Sequence, residues 1–402
     1  MLSSIKSLSE QYAPDAVAIR RHLHAHPELS FHEQETALFV ARELTAMGLH
    51  PQEGVAGTGV VALIEGTKPD SESSGTDKRV VGLRADMDAL PIREANDVPY
   101  KSTVDGVMHA CGHDVHTASL LGTARILTTL CDQFSGTVKL VFQPAEEKAP
   151  GGASLMIREG VLDNPRPGGM IGQHVAPNVP VGKIGFREGM YMASTDEIYM
   201  TVRGKGGHAA MPDNLIDPVL IASHIIVALQ QIISRNRPPA SPSVLSFGRF
   251  IADGVTNVIP NFVEIEGTFR CMNEEWREKG LMQIQKMAET MAEAMGGTCE
   301  FTRVKGYPYL KNQPELTRRL RTQTEAYIGR ENVVDLDLWM AGEDFAFYSQ
   351  VVDSCFYRLG TRNESRGIVS GVHTPTFDID EDALAIGPGL MAWLAVQELQ
   401  GA

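Results

Sequence analysis

Between Gly59 and His174, short apolar runs alternate with stretches of helical period, and that alternation leaves few architectures open. Gly59 to Ile64, Arg79 to Ala85, Thr137 to Phe142 and Gly169 to His174 read as strands. Ala118 to Leu130, running on to about Asp132, and Ala153 to Glu159 read as helices. Strands separated by helices predict a largely parallel sheet with helices on both faces. Two helices precede it. Residues 3 to 25 put Ile5, Leu8, Tyr12, Ala16, Ile19 and Leu23 on one face and stop at Pro27; Glu33 to Met47 closes on Gly48. Lys68 to Asp77, between the first two strands, reads as a polar hairpin loop without core residues.

The texture changes near Arg187. Thr195 to Val202 alternates apolar and polar residues, and a helix (Pro218 to Ser234) and two strands (Val244 to Phe250, Phe262 to Arg270) follow. A helix (Glu274 to Met295) and a strand (Thr298 to Val304) complete the set. This order predicts a self-contained α+β sandwich, ferredoxin-like in its sequence of elements. The α/β texture then resumes with a strand Cys355 to Gly360 and a closing helix Glu381 to Glu398. At 402 residues the chain exceeds what one core usually supports. The expected organisation is α/β, with one domain formed by residues 1–186 and 306–402. The inserted sandwich spans 187–305.

A formal net charge of -14 argues against a nucleic-acid surface. No run of about 18 apolar residues is present, so no membrane span is expected. The first fifteen residues lack a secretory pattern. Five scattered cysteines suit a reducing compartment, which makes a cytoplasmic location the expectation.

The chemistry concentrates in Met108-His109-Ala110-Cys111-Gly112-His113-Asp114-Val115-His116. Thiolate and imidazole are ligands for zinc and its neighbours, and Gly112 lets the backbone turn so that Cys111 and His113 face one point. In an open parallel sheet, function sits at the carboxyl edge of the strands. Cys111, His113, Glu146, Glu147 and His174 all fall there. Adjacent glutamates point different ways, so one can hold metal while the other faces substrate as a general base. Cys111, His113, Glu147, His174 and His373 supply five ligands, enough for two metals sharing a bridging thiolate. The donor set accepts zinc, manganese, cobalt or nickel.

These residues resemble the M20 metallopeptidases, in their aminoacylase/amidohydrolase branch. The resemblance runs through Arg20 to His24, Leu83 to Pro91, Met108 to His116, Gln143 to Glu147 and Gly204 to Pro212. Asn257 to Pro260, Gly342 to Phe345 and His373 to Pro375 extend it. Where the wider family has a ligand histidine and a bridging aspartate, Arg84 and Cys111 stand here, as in that branch. The resemblance implies that His113 and His174 hold one metal, Glu147 and His373 the other, and Cys111 both. Glu146 is then the general base and Asp86 the carboxylate that orients a ligand. It also implies that the inserted domain is a lid and dimerisation domain, giving a homodimer or dimer of dimers. His208 would reach the neighbouring subunit's site and stabilise the oxyanion, while Asn257 and Arg270 bind the substrate carboxylate.

The implied reaction is hydrolysis of the amide of an N-acyl-L-amino acid. A dipeptidase or carboxypeptidase on the same scaffold is the alternative; a non-catalytic metal-binding protein would have no use for Glu146. Six other histidines read as structural: His22, His24 and His26 in a helix C-terminal turn, His109 and His116 beside the ligands, His224 on a helix face. Cys131, Cys271, Cys299 and Cys355 read as core. Glu343 and Asp344 read as caps for a helix after Gly342, although the resemblance implies that they lie near the site.

Overall fold

A computed structural model describes residues 1–69 and 79–401. Met1–Gly189, Lys311–Asp337 and Asp344–Ala402 pack as one compact unit, and Met190–Leu310 with Leu338–Glu343 as a second. The short return of Leu338–Glu343 to the second unit has a backbone cause. Trp339 N–H donates to Tyr191 O at 3.0 Å, and Ala193 N–H to Ala341 O at 3.1 Å.

The first unit is built on an eight-stranded sheet. Its centre is four parallel strands in the order Ser135–Gln143, Val80–Asp86, Gly169–Pro180, Ser354–Arg362. Gly59–Thr67 and then Gln52–Val55 extend one side antiparallel. On the other side Ile184–Phe186 joins antiparallel to Ser354–Arg362, and Val333–Asp335 runs parallel to it. The sheet is thus mixed, with its parallel part central. Strand Ser135–Gln143 is buried along nearly its whole length, as a strand covered on both faces must be. Gly59–Thr67, nearer the edge, alternates buried and exposed.

The expectation of a hairpin between the first two predicted strands fails on the sheet order. Ser135–Gln143 lies between Gly59–Thr67 and Val80–Asp86, so those two are not partners. Most of the intervening Lys68 to Asp77 stretch lies outside the described residues. Helix His113–Thr129 starts five residues before the apolar run that announced it and is buried almost all round. Such a helix belongs inside a core, and Leu120, Leu121, Ala124 and Leu127 join the main apolar cluster.

The second unit carries an antiparallel sheet in the order Ser243–Ile251, Phe262–Cys271, Asp196–Arg203, Thr298–Lys305. Numbered in chain order, the strands lie 2-3-1-4, a ferredoxin-like arrangement with helices Pro218–Gln231 and Glu274–Ala294. Both helices start on a side-chain cap: Asp217 accepts from Val219 and Leu220 N–H, and Asn273 from Trp276 N–H. The first helix continues as a π turn, Ile232–Asn236. Pro218–Asn236 is 19 residues with a mean hydropathy of 1.3, enough by length and composition to cross a bilayer, which the sequence reading did not foresee. Its inner face (Ile221, Ala222, Ile225, Leu229, Ile232) packs in the unit's own core with Ile198, Val263 and Phe269.

Candidate metal centre

Asp86 and Gln143 end two adjacent parallel strands and face each other in register. Helix His113–Thr129 begins at Gly112, whose φ of 89° suits glycine, and a Cβ there would meet Val175 Cγ2 at 2.5 Å. The turn brings Cys111 and His113 together as expected. Ligand atoms of Cys111, His113 and His174 lie within 4.8 Å of one another, and so do those of Cys111, Glu147 and His373. Cys111 belongs to both sets. Its Sγ is 3.4 Å from His174 Nε2, and His373 Nε2 is 3.1 Å from Glu147 Oε1.

The ring nitrogens show which histidines are able to ligate. His174 Nδ1 donates to Val175 O at 2.7 Å, which turns Nε2 toward Cys111. His113 Nδ1 donates to Asp88 O at 2.8 Å and contacts Asp88 Oδ1 at 3.2 Å. Its Nε2 is buried with no hydrogen-bond partner, 3.6 Å from Asp86 Oδ2 and 3.9 Å from both Glu146 Oε2 and Glu147 Oε1. His116 is different. Its Nδ1 donates to Asp86 Oδ1 at 2.6 Å and its Nε2 accepts from Val175 N–H at 2.9 Å. Both nitrogens are spent, so His116 steadies the strand that carries His174 and leaves no lone pair for metal. His109 is buried with both ring nitrogens unpaired, and burial lowers its pKa to about 4, which keeps it neutral.

The sequence reading gave Asp86 the orienting role; the carboxylate that meets His113 Nδ1 in the structure is that of Asp88. Asp86 instead pairs with Arg84 Nη1 at 2.5 Å and with His116. Asp88 holds His113 and also accepts from Glu146 N–H and Glu147 N–H at 3.0 Å each and from Ser30 Oγ at 2.6 Å. Glu33 Oε1 accepts the preceding N–H, that of Ala145, at 2.8 Å. Three successive amides of the glutamate turn thus hang from two buried carboxylates. Ala145 (φ 50°) and His373 (φ 61°) both sit in the left-handed region without being glycine. Strain of that kind costs about 1–3 kcal/mol and persists where the surroundings over-determine it. The Glu33 contact and the bond from His373 N–H to Ala110 O at 2.7 Å are such surroundings.

Charge fits a cation here. Burial, then Glu147, Glu146 and Asp86, push the Cys111 thiol well above its ordinary value. Burial would lower His113, yet Asp86 and Asp88 raise it to about 10. Both shifts have one cause, carboxylates gathered in a buried place, a field that divalent cations neutralise. Burial and Arg358 hold His174 well below its ordinary value, so it is a neutral imidazole, the form that ligates. An orphaned His113 Nε2, a thiol and Glu147 Oε1, buried beside His373, make a soft and hard donor set suited to zinc-like metals.

The carboxylate of Asp344, ahead of the short helix Ala346–Ser349, binds Arg84 and Gln143. His208 and Asn257 lie in the second unit, brought together by a two-residue ladder in which His208 pairs with Val258. Ala209 N–H donates to Asn257 O at 3.0 Å. Exposed His208 accepts from Ala210 N–H at Nδ1 (3.1 Å), which leaves the proton on Nε2. Arg270, half-buried on Phe262–Cys271, donates from Nε to Thr268 Oγ1 at 2.9 Å. Sequence reasoning missed Glu33 and Asp88. The Arg84-x-Asp86-x-Asp88 alternation was the available signal, since charges at every second position of an otherwise apolar strand line one face.

The model of peptidase family M20/M25/M40 matches residues 82–396. An amidohydrolase of Bacillus subtilis, YhaA, is 40% identical over 382 residues, 95% of this chain and 94% of that one. N-acetylcysteine deacetylase of the same organism is 39% identical over 390 residues (96% and 97%). Thermostable carboxypeptidase 2 of Saccharolobus solfataricus is 38% identical over 384 residues (95% and 94%). The crystal structure of the Bacillus subtilis YXEP protein, a dinuclear metal binding peptidase from the M20 family, superposes with a TM-score of 0.82. It is 35% identical, covering 98% of this chain and 99% of that one.

Proposed function

Because this chain belongs to peptidase family M20/M25/M40, in its aminoacylase/amidohydrolase branch, we propose that this hydrolase cleaves the amide of N-acyl-L-amino acids with two metals. The observation that carries the reading is the pair of ligand sets sharing Cys111, with Glu146 beside His113 and outside both sets. His113 and His174 would hold one metal, Glu147 and His373 the other, and Cys111 both. When bound, such metals lower the pKa of water and polarise the acyl carbonyl.

The chain's own residues supply the rest. Glu146 takes a proton from the attacking water and delivers it to the amide nitrogen as the C–N bond breaks, releasing a carboxylate and a free amino acid. His208 donates its Nε2 proton to the developing oxyanion. Asn257 and Arg270 bind the substrate carboxylate, for which a guanidinium is well shaped. A net charge of -14 does not draw an anionic substrate, so this local positive charge must.

His208 would act from a second copy of the chain, in a homodimer or dimer of dimers formed through the second unit. Two features support this: the outer strand Ser243–Ile251 exposes Val244, Phe250 and Ile251, and helix Pro218–Gln231 exposes Leu220 and Val227, the latter at 74%. The free cysteines fit a reducing compartment, and we place the protein in the cytoplasm. A carboxypeptidase or dipeptidase reaction is the second reading, favoured by the carboxypeptidase relative.

The test is metal content per chain together with ninhydrin-detected release from a panel of N-acetylmethionine, N-acetylcysteine, hippurate and dipeptides, with and without chelator. About two metals and chelator-sensitive release from the acylated amino acids are expected; release from dipeptides alone would establish the second reading. Glu146→Gln should keep its metal and lose about 10²- to 10⁴-fold in turnover. His208→Ala mixed with Glu146→Gln should recover activity, and verified mixed dimers without recovery would place His208 elsewhere in the mechanism.

A further inference from the structure

Arg84 has no solvent exposure, and every nitrogen of its guanidinium meets a side chain of the strand ends. Nε donates to Gln143 Oε1 at 3.0 Å, Nη1 to Asp86 Oδ2 at 2.5 Å and Nη2 to Asp344 Oδ1 at 2.8 Å. Asp344 is held again by Gln143 Nε2, at 2.8 Å from each carboxylate oxygen, and by Ala153 N–H at 3.0 Å. Four contacts to three different segments thus hold this carboxylate on both oxygens. The backbone of the same residue is therefore fixed, and its N–H donates to Glu146 Oε1 at 3.3 Å. The other oxygen of Glu146, Oε2, lies on the side of His113 Nε2, 3.9 Å away.

We infer that Arg84 and Asp344 are positioning residues for Glu146: the buried guanidinium locks the Asp344 carboxylate, and the Asp344 N–H thereby sets which carboxylate oxygen of Glu146 faces the metal ligands. The inference rests on Glu146 being the general base. Two features of the geometry favour this role over simple strand pinning. The chain from Arg84 to Glu146 runs through the backbone of one residue, so it transmits orientation and not only cohesion. A hydrogen bond to one oxygen of a carboxylate also fixes the plane of the other, which is what a proton acceptor needs for a defined direction of attack.

The experiment is a double-mutant cycle on the metal-loaded enzyme. kcat and KM are measured for Asp344→Asn, Glu146→Gln and the double variant on the best substrate of the panel above, and metal content and melting temperature are recorded for each. Asp344→Asn should lower kcat by about 10- to 100-fold, the usual consequence of a small misplacement of a reacting group. KM should stay within about twofold and metal content should not change. In the Glu146→Gln background the same substitution should change the residual kcat by less than about threefold, because the group it positions is already gone. A full multiplicative loss in the double variant would assign Asp344 an independent structural role and overturn the inference while leaving Glu146 as the base. A folded Asp344→Asn with undiminished kcat would overturn it as well. Glu146→Gln retaining turnover would remove the base, and the inference with it. Should Asp344→Asn fail to fold, Arg84→Lys, which keeps the charge but loses the planar fork, takes its place in the same cycle.

Discussion

The two compact units differ in whether buried charge is left open: the first closes Arg84 on its neighbours but leaves other groups incomplete, and the second completes its network. In the second, Arg277 is fully buried and closed on itself: Nε meets Asp196 Oδ2 at 2.6 Å, Nη1 meets Glu274 at 2.9 Å, and Nη2 meets Asp196 Oδ1 and the carbonyls of Thr195 and Gly306. Arg303 adds a second donor to Asp196 Oδ1 at 2.9 Å. Among the described residues, the buried unpaired atoms of ionisable side chains belong to Arg20, His109, His113, Asp114 and Glu147, all in the first unit. The second unit's buried unpaired atoms are on neutral Ser241 and Gln283. A buried ion network that the chain completes holds an architecture. One that the chain leaves open, with His113 Nε2 among three carboxylates, is a request for something the chain does not supply.

The strongest challenge to that contrast is Arg277→Ala. Removing Arg277 leaves the buried Asp196 with Arg303 as its remaining cationic partner among the contacts above, and a loss of about 3–5 kcal/mol is expected from denaturant unfolding. A loss under about 1 kcal/mol would mean that the closed network holds little. Smaller, and in the other unit, is Asp88→Asn. It leaves the fold's apolar core intact but loosens His113 and the glutamate turn, so metal affinity measured by chelator competition should fall about 10- to 100-fold. Unchanged affinity would show that His113 is oriented without it. The smallest effect sharpens the rule for exposed pairs. Arg303 hydrogen-bonds Glu278, and with Lys305 lowers it from 4.5 to about 2. A depressed carboxylate contributes its stability fully above the unfolded value and loses it as pH falls from about 4.5 through about 2. Its side chain is 47% exposed, so screening keeps the contribution under about 1 kcal/mol. Glu278→Gln should slightly flatten the acid limb of the stability curve, and a slope identical to wild type would remove the pair from the account.

Much of this was legible because periodicity survives translation into elements. The alternation at Glu197 to Val202 became a strand with Ile198, Met200 and Val202 buried, and Cys111-Gly112-His113 turned as a glycine at that place permits. The illegible parts share a reason. Strands Gln52–Val55 and Ile184–Phe186 are too short to show a period. The sheet order, which undid the hairpin, depends on pairing between segments that local pattern does not report. Asp88 and Glu33 received no role because a carboxylate's burial depends on which amides it meets, and those of Ala145 to Glu147 are remote in sequence.

The hanging of the glutamate turn from Glu33 and, through Asp88, from Ser30 has a consequence for how the protein comes into being. Both anchors lie upstream of the 82–396 span that identifies the family. The Ala145 amide reaches Glu33 across 112 residues of sequence. Contacts of such separation close late, after their loop entropy has been met by the rest of the core. With Glu146 as the proposed base, turnover would then serve as a certificate of completed folding: a partly melted chain in which the first forty residues have not docked would lack the anchors of its glutamate turn and stay silent until that segment docks.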